Sequence, residues 1–111
     1  MGQFVAGDVV VTKFPFSNFA TTKRRPALVL AEAEFGDLIL CQITSKPYSS
    51  QLAIPLSSSH FLSGGLPIAS YIRPDKLFTA EATIIEDASG KLLSSKTNDV
   101  LERVRSLFAA V

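Results

Sequence analysis

The chain has 111 residues, of which 47% are hydrophobic and 19% charged, and its formal net charge is +1 at pH 7. This length supports a single domain, 1–111, whose core needs no metal or disulfide, and the composition is too apolar for a disordered chain. A near-neutral charge excludes a general cationic coat for nucleic acid. No window reaches the length of a membrane span and Met1–Phe4 lacks the basic start of a signal peptide, so we expect a cytoplasmic protein.

Metal and thiol chemistry have few candidate residues. One cysteine and one histidine leave no plausible Cys/His metal site and no internal disulfide. Cys41 ends the apolar run Leu38–Cys41, so we expect a buried thiol. His60 lies in a serine-rich loop without a nearby acid, and we expect an exposed imidazole. We therefore expect no metal and no cofactor.

Short apolar runs separated by turn residues predict a β-rich fold. The expected strands, in chain order, are 9–14, 26–32, 38–44, 52–56, 69–73 and 77–85. Pro74 is expected to end the strand before it. We expect a surface loop at 57–66 and a turn at 87–90, because both segments are rich in serine or glycine.

The hydrophobic period changes near the C-terminus. From Asn98, with Thr97 or Asn98 as the cap, apolar residues recur on one face at helical spacing: Val100, Leu101, Val104, Leu107, Phe108 and Val111. Short strands followed by one terminal helix predict a mainly β, β-rich α+β fold, a small barrel with a helix packed on it.

The cations are concentrated in the first part of the chain. Residues 1–30 have a charge balance of +3 and residues 75–102 one of −3, which permits an anion-binding face on a near-neutral protein. The basic triplet Lys23–Arg25 runs directly into the strand that begins at Pro26. Proline restrains the residue before it to an extended backbone, so the triplet is expected at a rigid strand mouth.

A second polar group, Thr44–Lys46, follows the third strand. If a turn centred between residues 34 and 35 joins the second and third strands, Arg25 lies opposite Thr44. A guanidinium beside a hydroxyl can hold a phosphate and can donate to oxygens that gain charge during phosphodiester cleavage. The alternative is that Thr44 and Ser45 only finish a strand.

Four segments precede the terminal helix in a characteristic order and spacing: Gly7–Val10, Arg25–Leu30, Gln42–Ser45 and Ser70–Leu77. Together with the helix, they resemble the MazF/PemK-like toxins of bacterial toxin–antitoxin pairs. The resemblance implies a plugged SH3-like β-barrel that forms a homodimer and cleaves single-stranded RNA sequence-selectively and without a metal ion. It also implies a cognate antitoxin whose extended tail covers the site.

The resemblance also implies roles for individual residues. Arg25 matches the family's catalytic arginine and Thr44 its catalytic threonine, and the RNA 2′-hydroxyl attacks phosphorus to leave a cyclic phosphate and a free 5′-hydroxyl. Because arginine stays protonated, Arg25 is expected to stabilise the phosphorane rather than act as a base. The further candidates for contact with RNA are Lys23, Arg24, Ser45, Lys46 and Ser17.

Two alternative functions stay open. Many family members carry a Gly-Ser-Glu-like acidic segment in the first loop, whereas Ser17–Lys23 contains no acid, which keeps an inactive SH3-like interaction module in view. The presence of both Arg25 and Thr44 argues against that module. A CcdB-like gyrase-binding toxin resembles this fold and uses an aromatic near its C-terminus as an anchor. This chain has no Trp, and Phe108 is expected in the core-facing helix stripe.

Overall fold

The computed structural model describes residues 4–15, 22–46 and 50–109. In this part, seven antiparallel strands form one sheet that curls into a half-barrel, followed by one helix. The elements are β1 (Asp8–Pro15), β2 (Thr22–Glu32), β3 (Asp37–Thr44), β4 (Ile54–Leu56), β5 (Phe61–Gly64), β6 (Ser70–Glu81), β7 (Ile85–Leu92) and α1 (Ser94–Leu107). Across the sheet the order is β4-β6-β3-β2-β1-β7-β5. The expected β-rich fold with a terminal helix is confirmed, and no helix in the described part is long and apolar enough to cross a membrane.

The central strands bury side chains on both faces of the sheet, which is why they read as continuous apolar runs. One core cluster lies on the face covered by α1 and contains Val9, Leu28, Leu30, Cys41, Ile43, Ile54, Leu56, Ile72, Leu92 and Val100. The alternating positions form the second cluster, which contains Val10, Ala27, Val29, Leu38, Leu40 and Ala80. Cys41 is buried as expected, and burial raises the pKa of its thiol to about 12.

Strand β6 continues through Pro74, which the sequence analysis expected to end a strand. Cys41 of β3 pairs with Leu77, but the next residue, Gln42, pairs with Arg73. The three residues in between form a bulge, where a proline needs no ladder hydrogen bond. The prediction of two separate strands, 69–73 and 77–85, is therefore wrong.

Two segments predicted as connections belong to the sheet. Phe61–Gly64 within the expected loop is strand β5, and the expected turn at 87–90 lies inside β7. These two strands pair with each other, with Gly64 opposite Gly90. A Cβ atom on Gly90 would lie 2.6 Å from the carbonyl oxygen of Ser63. The glycines were interpreted as turn residues, but they allow two backbones to approach closely.

Helix α1 begins earlier than the sequence indicated. Its first residue is Ser94 and its N-cap residue is Leu93, which has no side chain that could cap the helix. Thr97, an expected cap, lies inside the first turn and donates from its hydroxyl to the Leu93 carbonyl at 3.3 Å. The prediction of a cap at Thr97 or Asn98 is wrong, because the polar start of the helix carries no apolar periodicity that would reveal it.

The apolar stripe of α1 is buried only along its first part. Val100 is buried, and Leu101 and Val104 pack against the core cluster under the helix. The helix ends at Leu107, and Phe108 is its C-cap residue with 73% of its surface exposed. Placing Phe108 in the core-facing stripe is therefore wrong, while Val111 lies outside the described residues.

His60 is a structural residue rather than an exposed imidazole without contacts. Its Nδ1 accepts the backbone N–H of Ser57 at 3.0 Å, and its carbonyl accepts the N–H of Leu93 at 2.9 Å. The side chain is half-buried, and burial lowers its pKa. His60 thereby links the short turn before β5 to the start of α1.

Candidate functional site

The pairing of β2 with β3 decides which side chains lie near Arg25. Ala27 of β2 pairs with Gln42 of β3. The paired residues end there, and the same register continued for two more residues along each strand would bring Arg25 opposite Thr44. Side chains of directly opposite residues project from the same face of a sheet. The side chains of Arg25 and Thr44 are therefore attached at neighbouring positions on one face of the sheet.

A one-residue bulge produces this neighbourhood. Beside the β2–β3 turn, Glu32 pairs with Leu38, and a bulge at Leu30 shifts the register by one residue further along. Had the register of the turn continued without the shift, Arg25 and Thr44 would project from opposite faces. The bulge at Leu30 is thus a requirement for any joint action of the two side chains.

Neighbouring strands extend the pair into a row of polar side chains. Thr12 of β1 pairs with Arg25, and Tyr71 of β6 pairs with Thr44. We call Thr12, Arg25, Thr44 and Tyr71 the polar row. Sequence reasoning missed Thr12 and Tyr71, because only the register across four strands places them beside Arg25 and Thr44.

Arg73 and Asp75 form an ion pair close to the polar row. Arg73 is paired with Gln42, two residues along the strands from the Thr44–Tyr71 pair. Its Nε and Nη2 donate to the two carboxylate oxygens of Asp75 at 3.0 and 2.8 Å. Neither residue was predicted from the sequence as part of a site. The signal was present as two opposite charges around Pro74 in an otherwise apolar strand pattern.

The ion pair makes a testable contribution to stability in acid. Hydrogen bonding to Arg73 lowers the pKa of Asp75 below its usual value of 3.8. The pair therefore stabilises the protein fully above the unfolded-state pKa, and this contribution is lost as the pH falls through the folded-state pKa. We expect Asp75→Asn to reduce the free energy of unfolding at neutral pH and to flatten its decline below about pH 4. Urea unfolding at a series of pH values measures both.

Asp99→Asn is the matched control for this experiment. Asp99 lies 3.9 Å from Arg103 Nε on the helix surface and makes no bidentate contact with it. Exposed pairs of this kind contribute about 0.3–0.5 kcal/mol, so the control should retain the acid dependence of the wild type. An equal acid dependence in wild type and Asp75→Asn would contradict the stabilising role of the pair.

Arg24 precedes Arg25 on β2 and contacts an acid. Its Nε lies 2.8 Å from Glu86 Oε1, and Lys13 Nζ lies 3.5 Å from Glu86 Oε2. Glu86 reaches both cations from a bulge in β7. Exposed ion pairs contribute at most about 1 kcal/mol, so a phosphate can compete with Glu86. Contact of Arg24 with RNA stays a prediction, and it requires an RNA phosphate to displace Glu86.

The remaining predicted contacts lie at the strand ends. Ser45 and Lys46 are exposed just after β3. The Thr44 hydroxyl accepts the N–H of Lys46 at 3.1 Å and donates to its carbonyl at 3.3 Å, so Thr44 holds the start of this loop. The backbone of Lys23 pairs with Phe14, whereas the Lys23 side chain and Ser17 lie outside the described part of the chain.

A groove of about 440 Å³ runs past Arg25 and Thr44. Its volume lies within the range of small-ligand sites, about 300–1,000 Å³. The lining residues are Val11, Arg24, Arg25, Pro26, Ile43, Thr44, Ser45, Leu66, Pro67, Ile68, Ser70 and Ser89. Among residues 4–15, 22–46 and 50–109, no three His, Cys, Asp or Glu side chains cluster as metal ligands. Cations, hydroxyls and an apolar wall give the groove the chemistry of a site for an anion with an apolar part.

Solved structures of similar fold were found. A chain of the MazE–MazF structure from Deinococcus radiodurans has a TM-score of 0.74 and 22% sequence identity, with 94% of each chain covered. An endoribonuclease in complex with its cognate antitoxin, from a mycobacterial species, has a TM-score of 0.72 and 13% identity over 93% of this chain and 92% of that one. The Mycobacterium tuberculosis toxin MazF-mt6 has a TM-score of 0.68 and 17% identity, with coverage of 91% and 95%. These likenesses establish a shared fold.

Sequence comparison gives the family itself. No match was found among curated proteins. The sequence model described as "PemK-like, MazF-like toxin of type II toxin-antitoxin system" matches residues 6–108. This match includes β1 to β7 and α1, and therefore the whole polar row. The chain belongs to the PemK-like, MazF-like toxin family of type II toxin–antitoxin systems.

Proposed function

We propose that this toxin is an endoribonuclease that cleaves single-stranded RNA, sequence-selectively, at a phosphate bound by Arg25 and Thr44. The observation that carries the proposal is the β2–β3 register. Continued to Arg25 and Thr44, it gives the guanidinium and the hydroxyl neighbouring backbone positions on one face of the sheet. Both residues also line the groove, which is large enough for part of a nucleotide chain. The family match is consistent with the same activity, because two solved structures of similar fold are endoribonucleases.

The proposed reaction uses a nucleophile within the RNA. The 2′-oxygen attacks the adjacent phosphorus, the bond from phosphorus to the 5′-oxygen breaks, and the products are a 2′,3′-cyclic phosphate and a 5′-hydroxyl. The proton lost from the 2′-hydroxyl is balanced by the proton gained by the 5′-oxygen. The non-bridging oxygens gain charge in the transition state, and a fixed guanidinium stabilises that charge.

Thr44 acts as a hydrogen-bond donor in this scheme. Its O–H points to the Lys46 carbonyl at 3.3 Å, so substrate binding must turn the hydroxyl towards the phosphate. The N–H of Lys46, which donates to the same oxygen at 3.1 Å, can keep the side chain in place during this change. Lys46 and Ser45 then border the bound RNA at the exposed end of β3.

Two protein partners belong to the proposal. Structures of relatives contain a cognate antitoxin, and we infer that this chain binds one whose extended tail covers the polar row and excludes RNA. The resemblance to the family also supports a homodimer. Light scattering of the purified protein should give the mass of two chains, and a mass of 12.0 kDa would contradict the dimer.

Cleavage of a mixed-sequence RNA in EDTA tests the activity. We expect discrete fragments with 5′-hydroxyl and cyclic-phosphate ends, and no cleavage of a strand that carries 2′-deoxyribose at the cleaved position. Sequencing of the 5′-hydroxyl ends gives the recognition sequence. Loss of cleavage when EDTA is added would contradict the metal-independent mechanism. A folded protein that cleaves no RNA would leave the inactive interaction module as the better description.

One observation favours a second candidate function. Phe108 is 73% exposed near the C-terminus, where gyrase-binding toxins of the CcdB type have an aromatic anchor. A DNA supercoiling assay separates the two functions. We expect no inhibition of gyrase. Inhibition that Phe108→Ser abolishes would support the gyrase-binding function instead.

A further inference from the structure

The Thr12 side chain is an exception in the polar row, because its hydroxyl is buried without a partner. Thr12 is 0% exposed, and its Oγ1 has no hydrogen-bond partner within the described part of the chain. Native proteins satisfy the great majority of such groups, since a buried, unpaired hydroxyl is destabilising. The position therefore requires a reason beyond packing.

Shape alone does not explain a threonine at this position. Valine has nearly the same shape and the same preference for strands, and the three preceding residues, Val9–Val11, are valines. Valine in place of Thr12 would fill the same space and leave no oxygen unpaired. The hydroxyl itself is thus the property to be explained.

The register limits what the hydroxyl can contact. Thr12 pairs with Ile85 on one side and with Arg25 on the other. The side chain of Ile85 offers no hydrogen-bonding atom, whereas the side chain of Arg25 offers five N–H donors and no acceptor. Cβ atoms of opposite residues in a sheet lie about 4.5–5.5 Å apart. The Arg25 side chain is therefore the polar group that this position is placed to meet.

We propose that Thr12 is a positioning residue for Arg25, and this inference rests on the proposed function. When a phosphate occupies the site, the fork of Arg25 donates two N–H groups to it. The Thr12 hydroxyl then accepts a further N–H of the same guanidinium and fixes its plane against the phosphate. Second contacts of this kind keep a catalytic group in its productive orientation. Without bound phosphate the Thr12 hydroxyl has no partner, and it is therefore available to accept this N–H when phosphate binds.

Three substitutions separate this role from a structural one. Thr12→Val removes the hydroxyl at constant shape, Thr12→Ser keeps it, and Thr79→Val makes the same change at an exposed strand position. We expect Thr12→Val to raise Tm by about 4 °C and to lower kcat about tenfold with KM within about twofold of wild type. The separate variant Thr12→Ser should keep the wild-type kcat, and Thr79→Val should change neither kcat nor Tm. In an Arg25→Ala background, Thr12→Val should have no further effect on the rate.

A second measurement is independent of cleavage. The Arg25 Nε–H signal, assigned by its loss in Arg25→Lys, is followed by NMR during titration with an oligodeoxynucleotide, which has no 2′-hydroxyl. We expect its hydrogen exchange to slow in wild type and in Thr12→Ser, and to be at least about tenfold faster in bound Thr12→Val. Equal protection in all three proteins, or no protection in wild type, would overturn the inference. A wild type that is protected but cleaves no RNA would overturn the endoribonuclease function and leave the Thr12–Arg25 contact supported.

Discussion

Replacing Arg25 by alanine is expected to lower kcat for RNA cleavage by about 100- to 1,000-fold, because the phosphorane loses its fixed cationic donor. Arg25→Lys should recover only part of this loss, since an ammonium group keeps the charge but lacks the planar fork. The proposed scheme assigns Arg25 to the transition state, so KM should change much less than kcat. Steady-state cleavage of one defined RNA, with substrate in excess over enzyme, measures both quantities.

Two arginines provide controls for this experiment. Arg103 lies on α1 with 55% of its side chain exposed, and Arg103→Ala should leave kcat and KM unchanged. Arg24 is paired with Glu86, and Arg24→Ala should raise KM and reduce the salt dependence of binding while kcat is preserved. If Arg24→Ala and Arg25→Ala lowered kcat equally, the basic triplet would act as a diffuse charge. The specific role of Arg25 would then be wrong.

The strand register next to Arg25 could be predicted from the sequence, but the prediction did not include the bulge that produces it. The predicted turn centre, between residues 34 and 35, gives the observed register between Ala27 and Gln42. The strand ends at the turn pair as Glu32 with Leu38, which sets the turn centre at Phe35, and the bulge at Leu30 then shifts the register back. Two departures from a regular hairpin thus cancel. No periodicity distinguishes a bulge residue such as Leu30 in a run that is buried on both faces.

The wrong strand and turn predictions involve proline and glycine, which occur in two different structural settings. Pro74 lies in a bulge inside β6 rather than at a strand end, and Gly90 lies in the strand pair of β5 and β7 rather than in a turn. Proline lacks a donor in either setting, and glycine is small in either setting. Only the partner strand decides between the two. Thr12 and Tyr71 were missed for the same reason, because their positions beside Arg25 and Thr44 depend on strands that are distant in sequence.

Leu66 and Pro67 form one wall of the groove and follow β5 in the chain. In β5, Gly64 packs closely against Gly90 of β7, and a methyl group on Gly64 should disrupt this wall. Gly64 has a φ of +67° and packs against the Ser89 carbonyl and Gly90. Gly64→Ala combines left-handed backbone strain with overlap against backbone atoms, which cannot move aside as a side chain can. We expect the free energy of unfolding to fall by about 3 kcal/mol or more in urea denaturation.

Two other glycines isolate the parts of this effect. Gly36 has a φ of +79° with no atom within 4 Å of a built Cβ, so Gly36→Ala should show the backbone strain alone, about 1 kcal/mol. Gly65 has neither a left-handed φ nor an atom within 4 Å, and Gly65→Ala should be nearly neutral. If Gly64→Ala cost no more than Gly36→Ala, the close approach of β5 to β7 would be wrong. Since β5 leads directly into the groove wall, the extra cost in Gly64→Ala should be accompanied by weaker RNA binding, which the two control variants should not show.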